Sequence, residues 1–146
     1  MNRYSAIGRT VGAAALLIAA ASGPAQAHHS AGAFDLTKHL VFTGTVEKWI
    51  WANPHAWLYV RLEKKDHTQE VWGFEGGGTS MLVREGWNAA DLKVGDMVVV
   101  TAAPERTGAH LAILSQVQLS NGRVLKEGGP PPDAAGGPPS PPQPYN

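Results

Sequence analysis

His28 and His29 stand side by side directly after Ala25-Gln26-Ala27, and a third histidine, His55, closes the aromatic proline turn Trp49-Ile50-Trp51-Ala52-Asn53-Pro54. Residues 1–27 have the layout of an export signal, with Arg3 and Arg9 but no acid, an apolar run over residues 11–21, and a small-x-small ending at Ala27. A membrane-spanning helix needs ~20 apolar residues, more than this run supplies, so the segment reads as a signal peptide cleaved after Ala27. Arg3 and Arg9 are not adjacent, which points to general secretion rather than a twin-arginine route. Cleavage at that point makes His28 the N-terminal residue. Its free amine, titrating near about pH 8, and its ring Nδ1 can then chelate one metal ion. Imidazole and amine nitrogens suit Cu(II) ahead of zinc, and a carboxylate such as Glu75 adds an oxygen donor. The candidate metal set is therefore His28, His29, His55 and Glu75. Against it stands a plain alternative, a flexible end whose histidines take up metal adventitiously.

The second constellation is aromatic. Alternation about Leu58, Val60 and Leu62 puts His55, Trp57 and Tyr59 on the opposite face, and the same count turns Trp49 and Trp51 outward on the preceding strand. Large apolar side chains on a solvent face need a cover or form a contact surface. Trp51, Trp57, Tyr59 and Trp72 are accordingly candidate partner-binding residues. His39, His67 and His110 stand apart in polar surroundings and read as surface residues. The run Glu75-Gly76-Gly77-Gly78-Thr79-Ser80 has glycines before a helix, but no P-loop lysine follows, and glycine as punctuation accounts for it. GxSxG and HExxH are absent, no catalytic residue is assigned, and a binding role is favoured over an enzymatic one.

The elements that must position these residues are short strands. Residues 40–50 alternate with Leu40, Phe42, Val46 and Ile50 on one parity and Gly44 at the place for a bulge or bend. Residues 56–63 and 69–75 follow as strands two and three. Thr79 or Ser80 can cap a short helix that ends by Glu85 before Gly86. A β-branched run from Met97 to Thr101 and an alternating run over residues 111–119 supply strands four and five, and Asn121-Gly122 signals a tight turn into a short sixth strand. Three strands, a helix and two strands is the order of an OB-like barrel of five to six strands, an all-β class; an open antiparallel β-sandwich is the alternative. The organisation read from this is a signal peptide at 1–27, an N-terminal segment at 28–39, a barrel domain at 40–126 and a disordered proline- and glycine-rich tail at 127–146.

Composition closes off several classes. The sequence has no cysteine, which excludes disulfides, thiolate ligands and a cysteine nucleophile. Losing Arg3 and Arg9 leaves 10 basic against 12 acidic residues, a net of −2, so a nucleic-acid footprint is not expected. No membrane contact is expected after signal removal, and the oligomeric state is open.

Ala27-His28-His29-Ser30, Phe34-Asp35, Phe42-Thr43-Gly44-Thr45-Val46, Trp51-Ala52-Asn53-Pro54-His55, Trp72-Gly73-Phe74-Glu75, Gly86-Trp87 and Leu92-Lys93-Val94-Gly95-Asp96 occur in that order. Together they resemble an uncharacterised family of small exported bacterial proteins, catalogued as a domain of unknown function. The resemblance runs from about His28 to Leu125 and implies no activity that could be carried over. It departs from the pattern at Gly77-Gly78-Thr79-Ser80, where relatives often have a proline, and the tail lies outside it. The expectation is a periplasmic or secreted binding module that holds a transition metal, copper first. The alternative is a metal-free accessory protein that docks onto an exported partner through the aromatic hairpin.

Overall fold

Leu58, Val60 and Leu62 alternate with Trp57, Tyr59 and Arg61, and in the computed structural model the first three are buried while the others are not. The structure describes residues 31–128 and 143–145. The expected signal peptide, its cleavage site and His28 and His29 lie outside these residues. Among the described residues no helix is long and apolar enough to cross a membrane.

The strands are β1 (Leu40–Ile50), β2 (Trp57–Glu63), β3 (Gln69–Glu75), β4 (Met97–Pro104), β5 (Leu111–Leu119), β6 (Val124–Lys126) and β7 (Gln143–Pro144), with one helix, α1 (Thr79–Arg84). Their order is β2-β3-β5-β4-β1, and β1 also pairs with β2, so five strands close into a barrel; β6 adds to β5 and β7 to β1. The expected small all-β barrel is the observed architecture, and the closure sets aside the open sandwich. Inward positions of every stave meet in one core, including Phe42, Val46, Leu58, Val60, Phe74, Val100, Ala112 and Val117. Burying such side chains contributes ~1.5–3 kcal/mol each relative to exposure, which supplies most of the drive to close the ring.

Two local features differ from expectation. The irregularity in β1 falls between Val46 and Lys48 rather than at Gly44. Gly44 is instead a point of close approach: a Cβ there would run into the Arg61 carbonyl and the side chains of Leu62 and Val60. The extra residue at Glu47 inverts the alternation beyond it, because side chains change face every residue. Trp49 therefore stands opposite the buried Leu58, and Ile50 stands opposite Trp57. Trp49 packs on the core, stacks on Trp87 at 6.3 Å and donates its Nε1–H to Ala89 O at 3.1 Å. The outward orientation expected for Trp49 is thus corrected by the bulge, and Trp51, 5.6 Å from it, is half-buried against the same core.

The second concerns the start of α1. Neither Thr79 nor Ser80 caps it; the residue before it is Gly78, and Asn53 Oδ1 accepts from Thr79 N at 3.0 Å and from Thr79 Oγ1 at 3.1 Å. The proline turn, which contains a cis Asn53–Pro54 bond, thereby holds the helix from 26 residues away. The other end of α1 is tied to the end of β6 and the chain just after it: Trp87 Nε1 donates to Lys126 O at 2.7 Å, and Gly128 N donates to Glu85 Oε1 at 3.0 Å.

The last described residues also depart from a tail expected to be disordered throughout. Gln143–Pro144 pairs in parallel with Leu40 and Val41, and Tyr145 stacks on Phe42. Burial of the aromatic ring at the barrel end and the two backbone bonds to β1 together offset the chain freedom lost in ordering the segment.

Candidate functional site

β2 and β3 pair from Glu63 opposite Gln69 at one end to Trp57 opposite Glu75 at the other. The second end is where the candidate metal residues fall. Two backbone bonds, Ala56 N to Gly77 O at 3.1 Å and Gly76 N to Ala56 O at 2.9 Å, lash the proline turn to the glycine loop. Those bonds fix His55 over the end of β3, and its Nδ1 meets Glu75 Oε1 in an ion-pair contact. The Glu75 side chain is 10% exposed and His55 37%, so the carboxylate is enclosed and the imidazole reaches outward. Glu75 Oε2 is buried with no hydrogen-bond partner among the described residues. Leaving a buried acceptor unmatched costs about 1–3 kcal/mol, more if it is charged.

The structure thus brings together His55 and Glu75, two of the four candidate ligands, while His28 and His29 lie outside the described residues. Among the described residues no group of three or more metal-ligating side chains forms. The His55–Glu75 contact uses Nδ1, which fixes the orientation of the ring. A carboxylate placed behind a histidine in this way fixes the tautomer and raises ligand basicity. Glu75, expected as a direct oxygen ligand, contacts His55 through Oε1 and keeps Oε2 without a partner among the described residues.

A second buried carboxyl, Glu127, was not legible in the sequence pattern. It lies against the glycine loop, where its Oε1 accepts from Gly77 N and its Oε2 is buried without a partner among the described residues. Burial pushes its pKa up to about 8, and the nearby Glu85 and Glu75 charges push the same way against the Gly77 hydrogen bond. A cavity of about 160 Å³ beside it is lined by Leu36, Met81, Ile113 and Leu114 among others. A polar residue one step past a short strand carries no periodic signal, and only tertiary packing buries it.

The aromatic candidates divide. Trp57 and Tyr59 stack at 6.1 Å on the outer face of β2, both half-buried. Trp72 is 4% exposed, 4.7 Å from Phe42 and 6.4 Å from Phe74, and is a core residue rather than part of an outer surface. Its strand position pairs it with the inward Val60, which decides its face. Of the histidines expected on the surface, His67 and His110 are exposed, the first meeting Glu63 at 2.9 Å and the second stacking on Trp72 at 5.1 Å, whereas His39 is buried.

Residues 15–114 match the profile of a family of unknown function (DUF6152). No curated protein and no solved structure matches the chain.

Proposed function

The chain belongs to that family of unknown function, and from this premise we propose that it is an exported, periplasmic or secreted module that binds a transition-metal ion, copper in preference to zinc. In this reading the mature N-terminal His28 contributes its amine and Nδ1, His55 contributes Nε2, and His29 stands by as a further imidazole. Glu75 holds His55 from behind. The observation that carries the reading is the enclosed His55–Glu75 pair with its unmatched Oε2. A buried carboxylate with one oxygen on an imidazole and the other without a partner among the described residues is poised for a cation to complete it, so Glu75 is a candidate oxygen ligand as well as the group that holds His55. Nitrogen donors with a carboxylate behind them suit Cu(II). The module binds; no catalytic residue is assigned.

The test compares the mature protein with a version carrying one glycine before His28, each titrated with Cu(II) by calorimetry and electron paramagnetic resonance. The added residue breaks the amine–Nδ1 chelate and leaves every imidazole in place. Affinity is expected to fall at least about tenfold, about 1.4 kcal/mol, with a changed spectrum. His55→Ala should weaken binding in the native version, and Glu75→Gln should weaken it less. Equal affinities and identical spectra for the native and extended proteins would reject the site.

The stacked Trp57–Tyr59 pair favours a second reading, a metal-free accessory protein that docks an exported partner on the outer face of β2. Metal-free protein that co-purifies with one exported partner, and loses it on Trp57→Ala, would move the assignment there.

A further inference from the structure

The opposite end of the barrel holds a different site. We propose that the mouth between β1 and β2 is a recognition site for an extended protein segment in which proline precedes tyrosine, and that Gln143–Tyr145 is the chain's own occupant of it. Gln143 N donates to His39 O at 2.8 Å and Tyr145 N to Val41 O at 2.9 Å. Those bonds, two residues apart, are strand addition to a sheet edge. Pro144 lies between the two donors, where an extended segment has no N–H to offer that edge, so proline is accepted at no loss.

The side chain supplies the specificity. The Tyr145 ring stacks on Phe42 at 5.0 Å and 27° and stands edge-on to Trp72 at 4.9 Å and 65°. Its hydroxyl faces Glu70, whose side chain is only 8% exposed and whose carboxyl it helps to hold low. Glu70 is held in turn by Lys64 Nζ at 2.6 Å and Trp72 Nε1 at 2.8 Å, with His110 Nε2 at 3.5 Å. A fixed carboxylate at the back of an aromatic slot recognises a phenol and leaves a phenylalanine one bond short.

The segment is a guest rather than a stave. The five strands close without β7. A cavity of about 180 Å³ runs on from the Tyr145 ring along Thr43, Leu62, Lys64 and Lys65, so the ring does not fill the mouth. Residues 129–142, rich in proline and glycine, tether the occupant to the barrel. Tethers of this kind give effective concentrations of roughly millimolar, which a partner's segment must exceed to displace it.

The proposal predicts what a synthetic Pro-Gln-Pro-Tyr-Asn peptide does to the full chain. With Tyr145→Ala the mouth is vacated, and the peptide should bind saturably, read by tryptophan fluorescence. A peptide with alanine for tyrosine should bind at least about tenfold more weakly, and one with phenylalanine should fall between them. The unsubstituted chain should need at least about tenfold more of the tyrosine peptide, because its own segment competes. Should Tyr145→Ala fail to fold, the unsubstituted chain gives the second reading: the resonances of its own Tyr145 should shift as peptide, raised toward roughly 10 mM, displaces it from the mouth. Equal binding of the tyrosine and alanine peptides, or no shift in that range, overturns the proposal. A dimer of the native chain that Tyr145→Ala abolishes would assign the mouth to a second copy and overturn a separate partner.

Discussion

Glu127 sets its carboxyl on the main-chain amide of Gly77, 50 residues earlier, and so joins the chain after β6 to the glycine loop that follows β3. The contact places an acid where burial disfavours its charge. Its pKa, about 8 against an ordinary 4.5, means that the folded protein holds a proton that the unfolded chain releases between those values. Stability contributed by the neutral acid is full below about pH 4.5 and declines as pH rises to about 8. Thermal unfolding at pH 5, 7 and 9 should show that decline, and Glu127→Gln should flatten it and unfold at higher temperature than wild type at pH 9. An unchanged slope in the variant would place the titration elsewhere. Glu70, Asp35 and Asp66 act in another window. Burial alone would raise Glu70, but Lys64, Trp72 and Tyr145 outweigh it and hold it low, so what it contributes is lost only in acid, as pH falls through its depressed value.

Trp57 and Trp72 lie on adjacent strands but on opposite faces. Trp72→Ala empties a core position and is expected to cost about 3–5 kcal/mol in chemical unfolding, whereas Trp57→Ala should stay within about 1 kcal/mol. Similar losses for the two would mean that Trp57 is structural, and the docking alternative would go with it.

Asn53 caps a helix that has no cap of its own. Asn53→Ala should lower stability by about 1 kcal/mol and Asn53→Asp by less, because the aspartate keeps the accepting oxygen. Denaturant midpoints are the measure, and an alanine variant as stable as the aspartate variant would show that the Thr79 bonds contribute nothing net.

Gly44 and Gly73 both sit in strands with little room for a side chain. At Gly44 an added Cβ meets the Arg61 backbone, which cannot move without separating β1 from β2; at Gly73 it meets the end of Leu111, at 2.9 Å, and the Tyr59 ring. Gly44→Ala is expected to cost at least about 1–3 kcal/mol and clearly more than Gly73→Ala. The reverse order would mean that the two strands separate readily there.

The staves were legible because their inward residues alternate. Residues 40–50, 69–75 and 111–119 are strands end for end, and the helix and the Asn121-Gly122 turn fall where their punctuation puts them. What escaped depends on partners distant in sequence. A bulge at the polar pair Glu47-Lys48 leaves no mark in composition, yet it decides where Trp49 points. Asn53 reads as a turn residue until Thr79 is beside it. Tyr145 is one aromatic among prolines, and only the rings of Phe42 and Trp72 give it a place. At the candidate site, His55 and Glu75 are legible from type and neighbourhood, while their mutual contact comes from the pairing of β2 with β3.

The barrel closes through ladders of unequal length. β3 and β5 share three parallel pairs, Gly73–Leu111, Phe74–Ala112 and Glu75–Ile113, whereas β2–β3 and β4–β5 each have seven antiparallel ones. Local opening follows the weakest join, so amide protons at this seam should exchange with solvent ahead of those in the longer ladders. An opened seam turns a ring into a curled sheet with two bare edges, each able to pair with another chain. Glu75 is the last residue on one lip of that seam, with His55 against it. His55 belongs to the β2 side of that lip, so a tie between His55 and Glu75 stiffens the lip itself and leaves the shortest stitch, from β3 to β5, to its three pairs.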